Sequence, residues 1–147
     1  MSGDRRPEEV AVVVRRPGPT GTEFLVVLRS PEKLGYWHIV AGGVGWGESP
    51  AAAAARELLE ETGLVASPSP LAGPLSYDLA GDPESVRERF PAGTERIVVW
   101  PFVADAPDGW EPVLDAEHVA HRWLVADAAT ALLEYPEPRE AIRLADA

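Results

Sequence analysis

Two apolar runs, Val10–Val14 and Phe24–Leu28, flank the polar Pro/Gly segment RRPGPTGTE, and this pattern predicts two strands joined by a turn. GYWHIV, residues 35–40, reads as a short aromatic-rich strand running into a glycine-rich loop. Residues 50–62 have helical character, and Leu75–Leu79 forms another strand candidate beyond a proline-rich connector, Ser67–Pro74. The most hydrophobic strand candidate is Arg96–Ala104, where Pro101 points to an edge or a bulge. Val119–Val125 supplies a last strand, and Asp127–Leu133 and Arg139–Ala145 read as helices. Strands interleaved with a few helices suit an α/β sandwich on a mixed sheet.

The helix after the glycine loop carries the chemistry. Ser49 is a suitable N-cap, Pro50 suits the first helical position, and Gly63 suits the left-handed residue past the end. The run Ala51–Ala55 favours a helix and lets it lie close to a sheet. Glu57, Glu60 and Glu61 share a face at i, i+3 and i+4. Leu58 and Leu59 are expected to anchor the opposite side. An exposed Glu57/Glu61 pair would cost the helix roughly 0.2–0.5 kcal/mol. Carboxylate oxygens are what Mg²⁺ and Mn²⁺ prefer, so a divalent ion would turn the repulsion into binding. The plain alternative is a solvated acidic face. The preceding glycines 42, 43, 45 and 47 argue against it, because they permit a tight loop whose backbone can approach a ligand.

The segment from Gly42 to Leu64 resembles the Nudix box, G-x5-E-x7-R-E-U-x-E-E-x-G-U, at all of its specified positions: Gly42, Glu48, Arg56, Glu57, Leu58, Glu60, Glu61, Gly63 and Leu64. The resemblance to Nudix hydrolases implies an α/β/α sandwich with a mixed β-sheet. It implies Glu57 and Glu61 as main metal ligands, with Glu60 acting directly or through water and the Gly42 carbonyl completing the shell. Arg56 would orient the acids and Glu48 would brace the loop behind them. Mg²⁺ is the implied cofactor, with Mn²⁺ able to substitute. Many members carry a proline two residues before the box and a glutamate at its fourth position; Val40 and Gly45 stand there, which leaves the number of ions open.

DAEHVAHRWL resembles a further Nudix segment in which Glu117 faces the metal cluster, as another ligand or as the general base. His118 and His121 read as loop contacts and Trp123 as core. From Tyr36 onward, YWHIVAGGVGWGE, RERFPAGTERIVVW and the C-terminal segment resemble, more loosely, bacterial dihydroneopterin triphosphate pyrophosphatases. Arg87, Arg89 and Arg96 are candidate phosphate contacts on a polar loop, since the guanidinium fork matches phosphate oxygens. Tyr36, Trp37 and Phe90 are candidate stacking faces for a base or pterin.

Length and composition fit this reading. The 147 residues suit one domain, 9–147, behind a polar tail at 1–8 whose composition predicts no order. The sequence has no cysteine, which excludes disulfides and thiolate chemistry. With no apolar run of spanning length and no signal-like start, a cytoplasmic location away from membranes is the expectation. A net charge of −11 disfavours nucleic-acid binding through the general field. The expected activity is metal-dependent hydrolysis of a nucleoside or pterin triphosphate, a small-molecule phosphoanhydride. ADP-ribose, dinucleoside polyphosphates and oxidised nucleotides are alternatives, and a non-catalytic nucleotide sensor is the different-class alternative. An isomerase of the same superfamily would want a cysteine. A homodimer is the family-level expectation.

Overall fold

The computed structural model describes residues 3–147 and contains eight strands and four α-helices. The strands are β1 (Glu8–Gly18), β2 (Gly21–Arg29), β3 (Trp37–His38), β4 (Val40–Gly43), β5 (Ser69–Pro70), β6 (Leu75–Asp78), β7 (Arg96–Asp105) and β8 (His118–Val125). The helices are α1 (Pro50–Thr62), α2 (Glu84–Arg87), α3 (Ala126–Leu132) and α4 (Pro136–Asp146).

All eight strands join one mixed sheet around β1. Along one edge β1 pairs in parallel with β7, Val10 opposite Trp100. Its other edge is divided: β4 takes the first half, Val10 opposite Gly42, and β2 the second, Arg15 opposite Phe24. β8 then pairs with β2. Side-chain alternation sends Val10, Val12 and Val14 to the face covered by α1, and Ala11 and Val13 to the face covered by α3 and α4. Helices on both faces make the α/β/α sandwich that the pattern and the resemblance imply.

Pro101 lies inside β7 and not at a sheet edge. Its carbonyl accepts from the Leu71 amide, on the side where β5 ends and β6 has not begun. A residue without an N–H is tolerated in that gap.

α1 has the expected caps. Ser49 Oγ accepts from the Ala52 amide at 3.1 Å, Gly63 adopts φ 80°, and the Gly63 amide donates to the Leu59 carbonyl. Its buried stripe is Ala53, Ala54, Leu58, Glu61 and Thr62. Leu59, expected in the core beside Leu58, is instead 49% exposed. Leu59 is turned about 100° from Leu58, off the edge of that stripe.

The tail expectation meets structure from Arg5 onward. Arg5 and Arg6 are hydrogen bonded and Glu8 opens β1, while Met1 and Ser2 lie outside the described residues. Loop 85–96 differs as well: α2 forms part of it, and Phe90 seats in a small core with Leu79 and Ile97.

Candidate active site

Gly42 and Glu57 define the floor of the site. Antiparallel pairing brings β4 alongside β1 and under the middle of α1. A Cβ at Gly42 would stand 2.1 Å from the carboxyl carbon of Glu57, so only glycine lets strand and carboxylate meet. Glu61, one turn on, is buried, with 6% of its side chain exposed. Its Oε1 accepts from the Ala41 amide at 3.4 Å and lies 3.6 Å from His118 Nε2. Burial pushes the Glu61 carboxyl above the ordinary range, and the neighbouring Glu57 and the charge of Asp115 push the same way.

Arg56 and Glu48 build the frame around this pair. Glu48 receives Arg56 in a fork, Nε on Oε2 and Nη2 on Oε1, both at 2.9 Å. Arg56 also donates to the Gly43 carbonyl at 2.9 Å and to Glu57 Oε1 at 2.8 Å. One guanidinium thereby locks the loop, the brace and a putting-together of the acids at a single point. The Gly45 amide caps Glu48 at 2.9 Å.

Arg56 and, after it, the Gly45 amide hold the Glu48 carboxyl at about 2, against an ordinary 4.5. The folded value is depressed, so this stabilisation is complete above about pH 4.5 and is lost as pH falls toward 2. Glu48→Gln is expected to flatten that limb of the stability curve, as followed by urea unfolding in EDTA. Identical acid limbs in the two proteins would contradict it.

The candidate residues are not all gathered together. Glu57, Glu61, Gly42, Glu117 and Arg89 line one open cleft. Glu60 does not line it: it is 55% exposed, and its contact is Arg56 Nη1 at 3.5 Å. Among the described residues no group of three acidic or imidazole side chains forms a ready ligand cluster. Of the three helix carboxylates, Glu57 and Glu61 line the cleft beside the Gly42 backbone and Glu60 stands outside it. That set still fits Mg²⁺ or Mn²⁺, which take oxygen donors and commonly use one or two carboxylates, with waters and substrate phosphates filling the shell. Glu117 stands across the cleft, 3.4 Å from Lys33 Nζ. The Ser30 amide donates to the Glu117 carbonyl and fixes its loop to the end of β2.

The stacking and phosphate candidates divide further. Phe90 is 2% exposed and offers no face to a ligand. Trp37 packs against the core under α3 and α4, with the Arg122 guanidinium 5.0 Å from its ring centre. Tyr36 is partly exposed, edge-on to Tyr135 at 5.1 Å and 5.4 Å from the Arg29 guanidinium. Arg87 does not line the cleft, and Arg96 is occupied by Ser76 at 2.7 Å and Asp78 at 3.5 Å.

The cleft is also lined by Arg5, Arg29 and Lys33, which no local motif marks, and by His118, expected as a loop contact and found buried at the start of β8. His118 is buried and bonded through Nδ1 to Asp115 Oδ1 at 2.8 Å, which turns Nε2 toward Glu61. His38 adds no charge here. Burial lowers it to about 4, and its Nδ1 donates to the Ile39 carbonyl at 2.8 Å.

The box thus runs from the end of β4 through the glycine loop into α1, which packs on the sheet. A model of the NUDIX domain matches residues 5–145, and the chain belongs to that family. Among solved structures, it is similar over 99% of its length to all of the E. coli dihydroneopterin triphosphate pyrophosphohydrolase (TM-score 0.80, 26% identity). It is 35% identical over 144 residues to a Myxococcus xanthus protein named octanoyltransferase, matching 97% of this chain and 37% of that protein. It is also 29% identical over 126 residues to an 8-oxo-(d)GTP phosphatase of Mycolicibacterium smegmatis, matching 86% of this chain and 34% of that protein. The chain thus spans about a third of the length of these curated relatives. Among the described residues, no helix is long and apolar enough to cross a membrane.

Proposed function

We propose that this chain is a Mg²⁺-dependent pyrophosphohydrolase that cleaves a nucleoside or pterin triphosphate by attack of water on phosphorus. The observation that carries this reading is the Glu57/Glu61 pair against Gly42, held by Arg56 and faced by Arg29, Lys33 and Arg89. Two like charges one turn apart and largely buried are costly unless a cation joins them. Glu57, Glu61 and the Gly42 backbone would hold the ion. When bound, Mg²⁺ offsets phosphate charge and acidifies water.

Glu117 is the cleft carboxylate outside the ligand pair, and this supports it as the group that takes the proton of the attacking water. The new bond joins water oxygen to phosphorus. The anhydride P–O bond breaks, and its electron pair leaves on the departing phosphate oxygen. Arg29, Lys33 and Arg89 would balance charge along the phosphate chain. Tyr36, half-buried beside Arg29, is the better candidate for the ring system, and Trp37 the weaker one. The polyphosphate substrates named for two relatives, dihydroneopterin triphosphate and 8-oxo-(d)GTP, support a triphosphate carrying a flat heterocycle.

The test is pyrophosphate and phosphate release with Mg²⁺ across nucleoside triphosphates, dihydroneopterin triphosphate, 8-oxo-dGTP, ADP-ribose and dinucleoside polyphosphates. The highest kcat/KM is expected on a triphosphate. A clear preference for ADP-ribose or a dinucleoside polyphosphate would overturn the substrate class and leave the chemistry standing.

A further inference from the structure

Five residues ahead of β1 lie across the site. Pro7 extends the β1–β7 pairing backwards, its carbonyl accepting from the Val98 amide at 3.1 Å. Arg6 Nη1 donates to two carbonyls of the box loop, Gly45 at 3.1 Å and Glu48 at 2.9 Å, while Nε and Nη2 rest on Glu8 Oε1. Trp46 Nε1 donates to the Asp4 carbonyl. The Arg5 amide donates to the Arg89 carbonyl at 2.9 Å, and Gly3 lies so close to that carbonyl that a Cβ would meet its oxygen at 2.0 Å. The segment therefore stitches the box loop to the loop that carries Arg89.

We propose that Gly3–Pro7 is a strap that delivers the Arg5 guanidinium to the substrate's phosphate chain, making Arg5 a determinant of substrate affinity. This rests on the hydrolase reading. Arg5 lies flat over Gly43, where a Cβ would stand 3.0 Å from its Nε and Nη2, and it lines the cleft with Gly42 and Glu57. Below it, the guanidinium carbon sits 5.6 Å from the centre of the Phe90 ring. Glu9 accepts from Nη2 at 3.4 Å and is itself fixed by the Tyr77 hydroxyl at 2.9 Å. That is the one side-chain hydrogen bond of Arg5 among the described residues, and a guanidinium has five N–H donors. The rest of the fork is available to phosphate oxygens. Arg6 does not line the cleft and acts as a positioning residue that keeps the strap fastened.

The experiment measures kcat and KM on a nucleoside triphosphate with Mg²⁺ for Arg5→Ala, Arg5→Lys, Arg6→Ala and the double alanine variant. Calorimetric binding of the α,β-methylene analogue is measured in parallel. Loss of a charge-assisted hydrogen bond predicts that Arg5→Ala raises KM and Kd roughly tenfold or more, with the larger share of the effect there and not in kcat. Arg5→Lys restores part of it, because lysine keeps the charge without the fork. Arg6→Ala moves the same constants in the same direction, and the double variant matches Arg5→Ala.

Unchanged KM and Kd in Arg5→Ala would overturn the proposal, as would Arg5 and Arg6 effects that simply multiply. If the wild-type chain binds the analogue and turns nothing over, the hydrolase reading fails and the strap is judged on Kd. If it binds no analogue, both fall.

Discussion

Glu57→Gln is expected to lower kcat with Mg²⁺ by roughly a hundredfold or more. The amide keeps the shape and the Arg56 contact but gives up the charge that holds the cation. Metal stabilisation of phosphoryl charge is worth several kcal/mol, and each 1.36 kcal/mol is tenfold in rate. Glu61→Gln should behave alike, since both carboxylates border the cleft beside Gly42. Stability should move differently from activity. In EDTA the two acids repel, and this neighbour helps drive Glu61 above the usual carboxylate range. The melting temperature of Glu57→Gln in EDTA is therefore expected to hold or rise while activity collapses. A variant that melts early would mean Glu57 is a structural ion-pair partner of Arg56 and that the metal assignment is wrong. Glu60→Gln is the internal control: its exposed side chain predicts a much smaller loss.

Gly42→Ala should be nearly as damaging to activity, although it adds one methyl group. The new Cβ would overlap the Glu57 carboxylate at 2.1–2.5 Å, so the carboxylate must swing away. The end of a side chain moves more easily than a strand, so the fold is expected to survive with a small change in melting temperature. The Mg²⁺ concentration for half-maximal rate should rise roughly 10–100-fold, the scale seen when a ligand loses its support. Gly47→Ala tests a different property, because Gly47 has φ 80° with nothing within 4 Å of a Cβ. Its cost should appear as strain in stability, not as altered metal dependence. Equal Mg²⁺ requirements for Gly42→Ala and wild type would contradict the close-approach account.

Local chemistry was legible in the chain, and convergence was not. Ser49, Pro50 and Gly63 act where the capping rules put them, and Val10–Val14 forms the strand its apolar run predicts, with its valines divided between two covered faces. The helical wheel put Glu57, Glu60 and Glu61 on one face. A wheel does not say where the sheet cuts across it, and the sheet takes in Glu61 while leaving Glu60 in solvent. The same cut exposes Leu59. Phe90 sits in a polar stretch that resembles a substrate loop, yet one aromatic there anchors the loop against Leu79 and Ile97.

Arg5, Arg29, Lys33 and His118 reach the cleft through contacts distant in sequence. The pairing of β2 with β8 sets Arg29 beside His118, and the Arg5–Arg89 backbone bond joins segments 84 positions apart. No local spacing encodes those meetings. The i, i+3 relation of Asp115 and His118 is the one signal that was available, and only burial gives it meaning.

If a divalent ion in this cleft drives hydrolysis of a phosphoanhydride, turnover must follow the ion. Turnover of a nucleoside triphosphate is followed with Mg²⁺, with EDTA, and after Mg²⁺ is restored, with binding of the same nucleotide recorded in each state. Turnover is expected with Mg²⁺, none in EDTA, and full recovery on adding the ion back. Nucleotide that binds with Mg²⁺ yet is never cleaved, on any substrate of the panel, would contradict it and make the domain a sensor.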